Sequence, residues 1–140
     1  MDEINSSPQA AELRALWDTL LIHHKIDICT EQLEGCNIID LKILKLLFGN
    51  PEIKIKDIIN LLKVPNSTIT NAINRLTKRE LLERKIDPMD LRSFELVLTA
   101  KGRTAVEEHL QAEIRLFEEL LQDLSSEEKS EFIHLFRKIV

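Results

Sequence analysis

The sequence predicts a mainly α-helical chain with one small β-hairpin, and three observations carry that expectation. Only three Gly and four Pro stand in 140 residues, too few for a loop-rich or many-stranded fold. Apolar residues recur at i, i+3 and i+4 through most of the chain. Between Leu82 and Leu98 the period falls to two.

The length allows one domain, or one domain with an oligomerisation element, and is enough to bury a real core. Gly35, Gly49 and Gly102 lie too far apart for a Gly-rich phosphate loop or a dinucleotide fingerprint. No G-x-S-x-G or H-E-x-x-H occurs, so an enzyme is not expected, and no cofactor or metal is implied. No apolar run approaches the roughly 18–20 residues of a membrane span. The start lacks the basic region of a signal peptide, so the chain is expected in the cytoplasm with its two cysteines reduced.

Residues 1–7 are polar and expected to be disordered. From Pro8 a helical stripe runs Leu13, Leu16, Trp17, Leu20, Leu21, His24, Ile28, past Asp27 and Glu31 to a stop at Gly35. So long a helix with nothing local to cover it needs a partner. Asn37 is a good N-cap for a second helix, with Asp40 in its first turn and Leu41, Leu44, Leu47 and Phe48 as its buried stripe. Gly49-Asn50-Pro51 ends it. Ile53-Lys54-Ile55 alternates as a very short strand would, and Asp57 to Leu62 forms a third helix closing at Lys63-Val64.

Pro65 to Leu82 follows, with an apolar face of Ile69, Ala72, Ile73 and Leu76. Its other face carries Ser67, Thr68, Thr70, Asn71, Asn74, Arg75 and Lys78. An ordinary solvated face is richer in Glu and Lys, whereas short donors and acceptors followed by long cations suit base edges and phosphates in a major groove. Helix, tight turn, polar-faced helix is the arrangement of a helix-turn-helix.

Leu82, Arg84, Ile86 and then Phe94, Leu96, Leu98 give the hairpin, with a long charged tip from Asp87 to Ser93. Thr99 is placed to cap a fifth helix with the stripe Val106, Leu110, Ile114, Phe117, Leu120, Leu121, Leu124. Ser125 and Glu128 form a capping box for the last helix, whose apolar face is Phe132, Leu135, Phe136 and Ile139.

The net charge is −5, but residues 54–103 hold eleven Lys/Arg against six Asp/Glu, a local +5 that leaves −10 for the remainder. A basic middle between acidic flanks is an electrostatic footprint for phosphate. Thr68, Thr70, Asn71 and Asn74 are the candidates for groove contacts. Arg75, Lys78, Arg79, Arg84, Lys85 and Arg92 would neutralise phosphates or enter the minor groove. Ser67 and Thr68 would hold a phosphate at the helix N-terminus.

Leu82-Glu83-Arg84-Lys85-Ile86-Asp87-Pro88-Met89-Asp90-Leu91-Arg92, then Leu96-Val97-Leu98-Thr99-Ala100-Lys101-Gly102, resembles the wing of the MarR family of bacterial regulators. Ser67-Thr68-Ile69-Thr70 and Arg75-Leu76 resemble its recognition helix, and the element order covers nearly the whole chain. The resemblance implies a dimeric winged helix-turn-helix transcription factor. Residues 1–36 would be an N-terminal dimerisation helix, 37–102 the DNA-binding domain and 103–140 the C-terminal dimerisation helices. It further implies recognition helices in successive major grooves of double-stranded DNA, a palindromic operator, and repression relieved by a small-molecule effector. Carried over by position, Arg92 reaches the minor groove and Asp90 holds it or the wing's backbone. Three residues depart from the family pattern: Leu91 replaces a second Arg, and Glu80 and Lys63 replace common glycines.

Sensing is open to several readings. Cys29, Cys36, His23, His24 and His109 with Glu113 are possible thiol or metal switches, against a plain reading as small buried or solvated residues. An apolar pocket lined by Trp17, Phe48 and Ile28 is a third route, equally readable as core. A winged-helix dimer that binds protein rather than DNA is the alternative function.

Overall fold

A computed structural model describes residues 7–24 and 30–140. The order is α1 (Pro8–His23), a 3₁₀ turn (Glu31–Leu33), α2 (Ile38–Gly49), α3 (Ile55–Leu62), α4 (Asn66–Lys78), β1 (Leu82–Asp87), β2 (Asp90–Leu98), α5 (Ala100–Leu121) and α6 (Ser126–Ile139). Six helices and a two-stranded antiparallel hairpin give the winged-helix arrangement. The chain divides into two compact units, residues 29–117 and α1 with residues 118–140.

The first unit holds the buried core. Ile43, Leu44 and Leu47 of α2 meet Ile58 of α3 and Ile69, Ala72, Ile73 and Leu76 of α4. Leu81, Leu82, Leu96, Ala105 and Val106 close it from the hairpin and α5. The α4 stripe read from the sequence is therefore the face that packs, and in α2 the expected Leu44 and Leu47 are joined by Ile43.

Helix ends follow their local chemistry. Asn37 and Asp40 make a reciprocal capping box on α2, with Asn37 Oδ1 accepting from the Asp40 N–H at 2.9 Å and Asp40 Oδ2 from the Asn37 N–H at 3.2 Å. Ser125 and Glu128 do the same for α6. α4 ends in a Schellman motif: the Leu81 N–H donates to Leu76 O and the Glu80 N–H to Thr77 O, both at 3.0 Å. That motif needs a left-handed residue, and Glu80 supplies it at φ 60. Lys63 ends α3 in a left-handed conformation as well, at φ 52, with its N–H donating to Ile59 O. The two positions where the family pattern has glycine are thus the two non-glycine residues with positive φ among those described.

The next turn is locked onto α5. Thr99 Oγ1 donates to Glu80 O at 2.6 Å and accepts from the Gly102 N–H at 2.9 Å, and Lys101 Nζ donates to Arg79 O at 3.0 Å. A Cβ on Gly102 would lie 2.0 Å from Leu81 O, so only glycine permits this approach.

Three expectations are corrected. α1 stops at His23 rather than running on towards Gly35: His24 is extended, and its N–H donates to Leu20 O. Gly35, at φ +80, follows the 3₁₀ turn instead. Asp27, Ile28 and Cys29 lie outside the described residues. Ile53-Lys54-Ile55 is not a strand, because Ile55 already belongs to α3 and the sheet has two strands. The hairpin tip is short rather than long: β2 begins at Asp90, and only Pro88 and Met89 form the turn, with Asp87 Oδ1 accepting from the Met89 N–H. The pairing runs from Leu82↔Leu98 to Ile86↔Phe94 and then jumps to Asp87↔Asp90, so Leu91, Arg92 and Ser93 bulge from β2.

The second unit is different. Neither α1 nor α6 buries a residue. Leu13, Leu16, Trp17 and Leu21 are exposed on α1, as are Phe132, Ile133, Leu135, Phe136 and Ile139 on α6.

Gly102→Ala should therefore lower stability by about 1–3 kcal/mol, because the added methyl meets backbone and cannot be repacked. Glu80→Gly should raise it: glycine holds the same left-handed conformation without a Cβ, which relieves about 1–2 kcal/mol, against about 0.5–1 kcal/mol of added chain entropy. Urea unfolding of the two variants should show opposite displacements of the midpoint.

Candidate nucleic-acid interface

Four residues of the core-facing stripe hold α4 from beneath, and this fixes what faces outward. Ser67, Asn71, Asn74 and Lys78 follow at i, i+4, i+7 and i+11, opposite the buried stripe, and all four are exposed. Thr70 is exposed to one side of that row and Arg75 to the other, while Thr68 is half-buried. Pro65 at the N-cap offers no side-chain acceptor and its carbonyl takes the Thr68 N–H at 2.9 Å, which leaves the Asn66 and Ser67 N–H groups of α4 for an anion.

Arg75 is not a free cation. Its Nη2 donates to Asp40 Oδ1 at 2.8 Å and its Nε lies 3.4 Å from Oδ2. Asp40 is 2% exposed, so a buried carboxylate takes the α2 cap and the α4 guanidinium together. The hydrogen bond to Asp40 is the main reason the Arg75 pKa is raised, which keeps the group charged. Arg79 is also engaged, donating to Gln32 O at 3.1 Å and Cys36 Sγ at 3.0 Å. Both arginines fasten α4 to the segment before and at the start of α2.

The hairpin carries the other sequence-predicted residues. Arg84 on β1 donates to Asn74 Oδ1 and lies over the Phe94 ring, 5.1 Å from its centroid. Lys85 is exposed next to it. Asp90 Oδ1 accepts from the Arg92 N–H at 3.0 Å, so it shapes the wing's backbone; among the described residues no ion pair involves the Arg92 side chain. Met89 and Leu91 are exposed at the tip. Lys54, at the start of α3, pairs with Glu95 of β2 at 2.7 Å, and that hydrogen bond raises the lysine pKa.

The structure thus brings Asn71, Asn74, Lys78 and Arg84 to one surface around the α4 stripe. Two roles were not legible in the sequence: Arg75 as an anchor and Arg84 as a partner of Asn74. Each joins residues that are distant or on different elements, and the only sign of the first was an acid at the third position of α2.

The sensing candidates are dispersed. His23 ends α1 and His24 caps it. Cys36 sits before the α2 cap with Arg79, and Cys29 lies outside the described residues. His109 is buried, with Nε2 3.2 Å from Glu113 Oε1, and the same oxygen accepts from Lys45 Nζ at 2.5 Å. Trp17 is exposed on α1, Phe48 packs against the core beneath Arg103, and Ile28 lies outside the described residues.

Residues 36–94 match the model of the MarR family. The HTH-type transcriptional regulator YwhA of Bacillus subtilis is 28% identical over 97 residues, 69% of this chain and 70% of its own length. Among solved structures, a MarR-like transcriptional regulator from Thermotoga maritima shares the fold with a TM-score of 0.76 at 23% identity, over 96% of this chain and 95% of its own. BpsR of Bordetella bronchiseptica, whose DNA binding is regulated by 6-hydroxynicotinic acid, shares it with a TM-score of 0.65 at 22% identity, over 95% and 98% of the two chains.

Asp40→Ala should cost about 1–3 kcal/mol, since it removes a helix cap and leaves Arg75 without its partner. Asp40→Asn keeps an acceptor for the cap and should cost less. Thermal unfolding of the two variants should give that order.

Proposed function

The chain belongs to the MarR family of transcriptional regulators, and from that premise we propose that it binds a palindromic operator as a homodimer and represses transcription until a small-molecule effector releases it. It is a DNA-binding regulator and not an enzyme. The observation that carries the finer reading is the exposed row Ser67, Asn71, Asn74 and Lys78, flanked by Thr70, with Arg84, Lys85 and Arg92 on the hairpin that follows.

In this reading α4 enters the major groove. Thr68 and Thr70 lie at its near end, and Asn71 pairs with adenine through both amide atoms. Lys78 and Lys85 neutralise phosphates, Ser67 and the open helix N-terminus hold another, and Arg92 takes the minor groove from a wing shaped by Asp90. Arg75 contributes mainly by holding the helix.

Two further features support the rest. Exposed Leu13, Leu16, Trp17 and Leu21 on α1, with Phe132, Leu135 and Phe136 on α6, form an apolar surface that a second copy would cover. On this view α1 and residues 103–140 dimerise while residues 37–102 bind DNA. Effector control rests on fold likeness to BpsR, whose DNA binding a small aromatic acid regulates. Among the described residues no helix is long and apolar enough to cross a membrane, and action on operators places the protein in the cytoplasm.

Arg92→Ala should weaken binding to every sequence and reduce the slope of log K against log salt by about one unit. Asn71→Ala should relax preference at a single position, by about 1–3 kcal/mol for the favoured base. Salt-titrated binding to sites selected from random duplexes measures both; unchanged binding in both variants would refute the interface. For the dimer, Leu16→Glu with Phe136→Glu should give a monomer by analytical ultracentrifugation and abolish a footprint with half-sites about one helical turn apart.

A further inference from the structure

We propose that Asn74 reads its base chiefly through its amide donors and favours guanine, because the Arg84 guanidinium donates to its carbonyl and disfavours a second donor there. This rests on the placement of α4 in the major groove.

Arg84 Nη2 donates to Asn74 Oδ1. A guanidinium carries donors and no acceptor, so the amide atom facing it must be the oxygen. The orientation of the Asn74 side chain is thereby set by chemistry: carbonyl towards β1, Nδ2 away from it. Arg84 is itself held, lying over the Phe94 ring at 5.1 Å. The pairings Arg84↔Leu96 and Ile86↔Phe94 put Arg84 and Phe94 on one face of the hairpin as diagonal neighbours. Arg84 is thus a positioning residue, fixed by the wing and acting on the recognition helix.

An unencumbered Asn on a groove-facing helix pairs with adenine by accepting from N6 and donating to N7. Asn74 Oδ1 already accepts from a cation, whose charge disfavours a second donor such as adenine N6 beside it, while Nδ2 keeps two N–H donors. Guanine presents two neighbouring acceptors, O6 and N7, on its major-groove edge, whereas thymine offers O4 alone. Asn71, three residues earlier on the same exposed row, has no such partner among the described residues. Two asparagines on one helix face therefore read different bases, adenine for Asn71 and guanine for Asn74, and the difference is written by the wing.

The test is site selection from random duplexes with wild type, Asn71→Ala, Asn74→Ala, Arg84→Ala and Arg84→Lys, each checked for fold by circular dichroism. Wild type should favour guanine over adenine about tenfold at the position that Asn74→Ala relaxes. Arg84→Ala should move that preference to adenine, and Arg84→Lys, which still donates to Oδ1, should restore guanine. A role for Arg84 as a phosphate contact only would instead weaken all sites alike in Arg84→Ala without moving any preference, and that result overturns the proposal. So does adenine at the Asn74 position in wild type. If Asn71→Ala relaxes one position and Asn74→Ala none, the interface stands and this inference falls. If neither changes any preference, groove reading by α4 fails with it.

Discussion

The carboxylate of Asp40 is the point on which α4 is set. It is buried at the start of α2, where the open N–H groups of the helix favour a negative charge. A buried carboxylate without partners is costly, and Asp40 meets that cost from two directions. The Asn37 N–H reaches it from its own helix, and Arg75 reaches it from α4 with two nitrogens. Rotating α4 about its axis would withdraw Arg75 and strand the charge. The angular position of Asn71 and Asn74 is therefore governed by an ion pair on the flank of the helix as well as by the apolar stripe beneath it.

A second constraint acts at the other end of α4. The Schellman motif through Glu80 turns the chain, Thr99 and Lys101 satisfy carbonyls that the helix leaves open, and Gly102 lets α5 come down on Leu81. The hairpin starts at Leu82, immediately after this junction, so the wing's origin is as firmly set as the helix. A glutamate in the left-handed position makes the junction more strained than a glycine would. The strain is tolerated because Leu76 and Leu81 on either side of it are buried.

Much of this was legible in the sequence, and the division has a physical cause. Local signals were readable: the cap at Asn37, the capping box at Ser125, the stop at Gly49, the change of period at Leu82, and the cap at Thr99. Each depends on residues a few positions apart. The packed stripe of α4 was readable for the same reason. The α1 end was missed because its apolar period continues beyond His23, and period alone does not mark where a helix stops. A short strand was wrongly expected at Ile53 because alternation over three residues carries too little information against a helix start at Ile55. In the candidate site, residue types picked out the exposed row of α4, but the partnerships of Arg75 with Asp40 and of Arg84 with Asn74 depend on tertiary approach.

Those partnerships also change how the basic middle segment should be weighed. Its +5 was a sum over side chains, some of which the fold has already paired. Arg75 answers Asp40, which lies outside the segment, and Lys54 answers Glu95 within it. Arg79 is turned towards Gln32 and Cys36. Lys78, Arg84, Lys85 and Arg92 make no ion pair among the described residues. Among the cations without an ion pair, Lys78, Arg84, Lys85 and Arg92 lie at the end of α4 and along the hairpin, while the middle of α4 presents neutral donors and acceptors. Charge that acts on any sequence and hydrogen-bonding groups that can discriminate between bases are thus carried by adjacent parts of one surface. Arg84 belongs to both, holding a positive charge on the wing while it donates to an amide on α4, so under the proposed reading the hairpin influences which base is read without touching it.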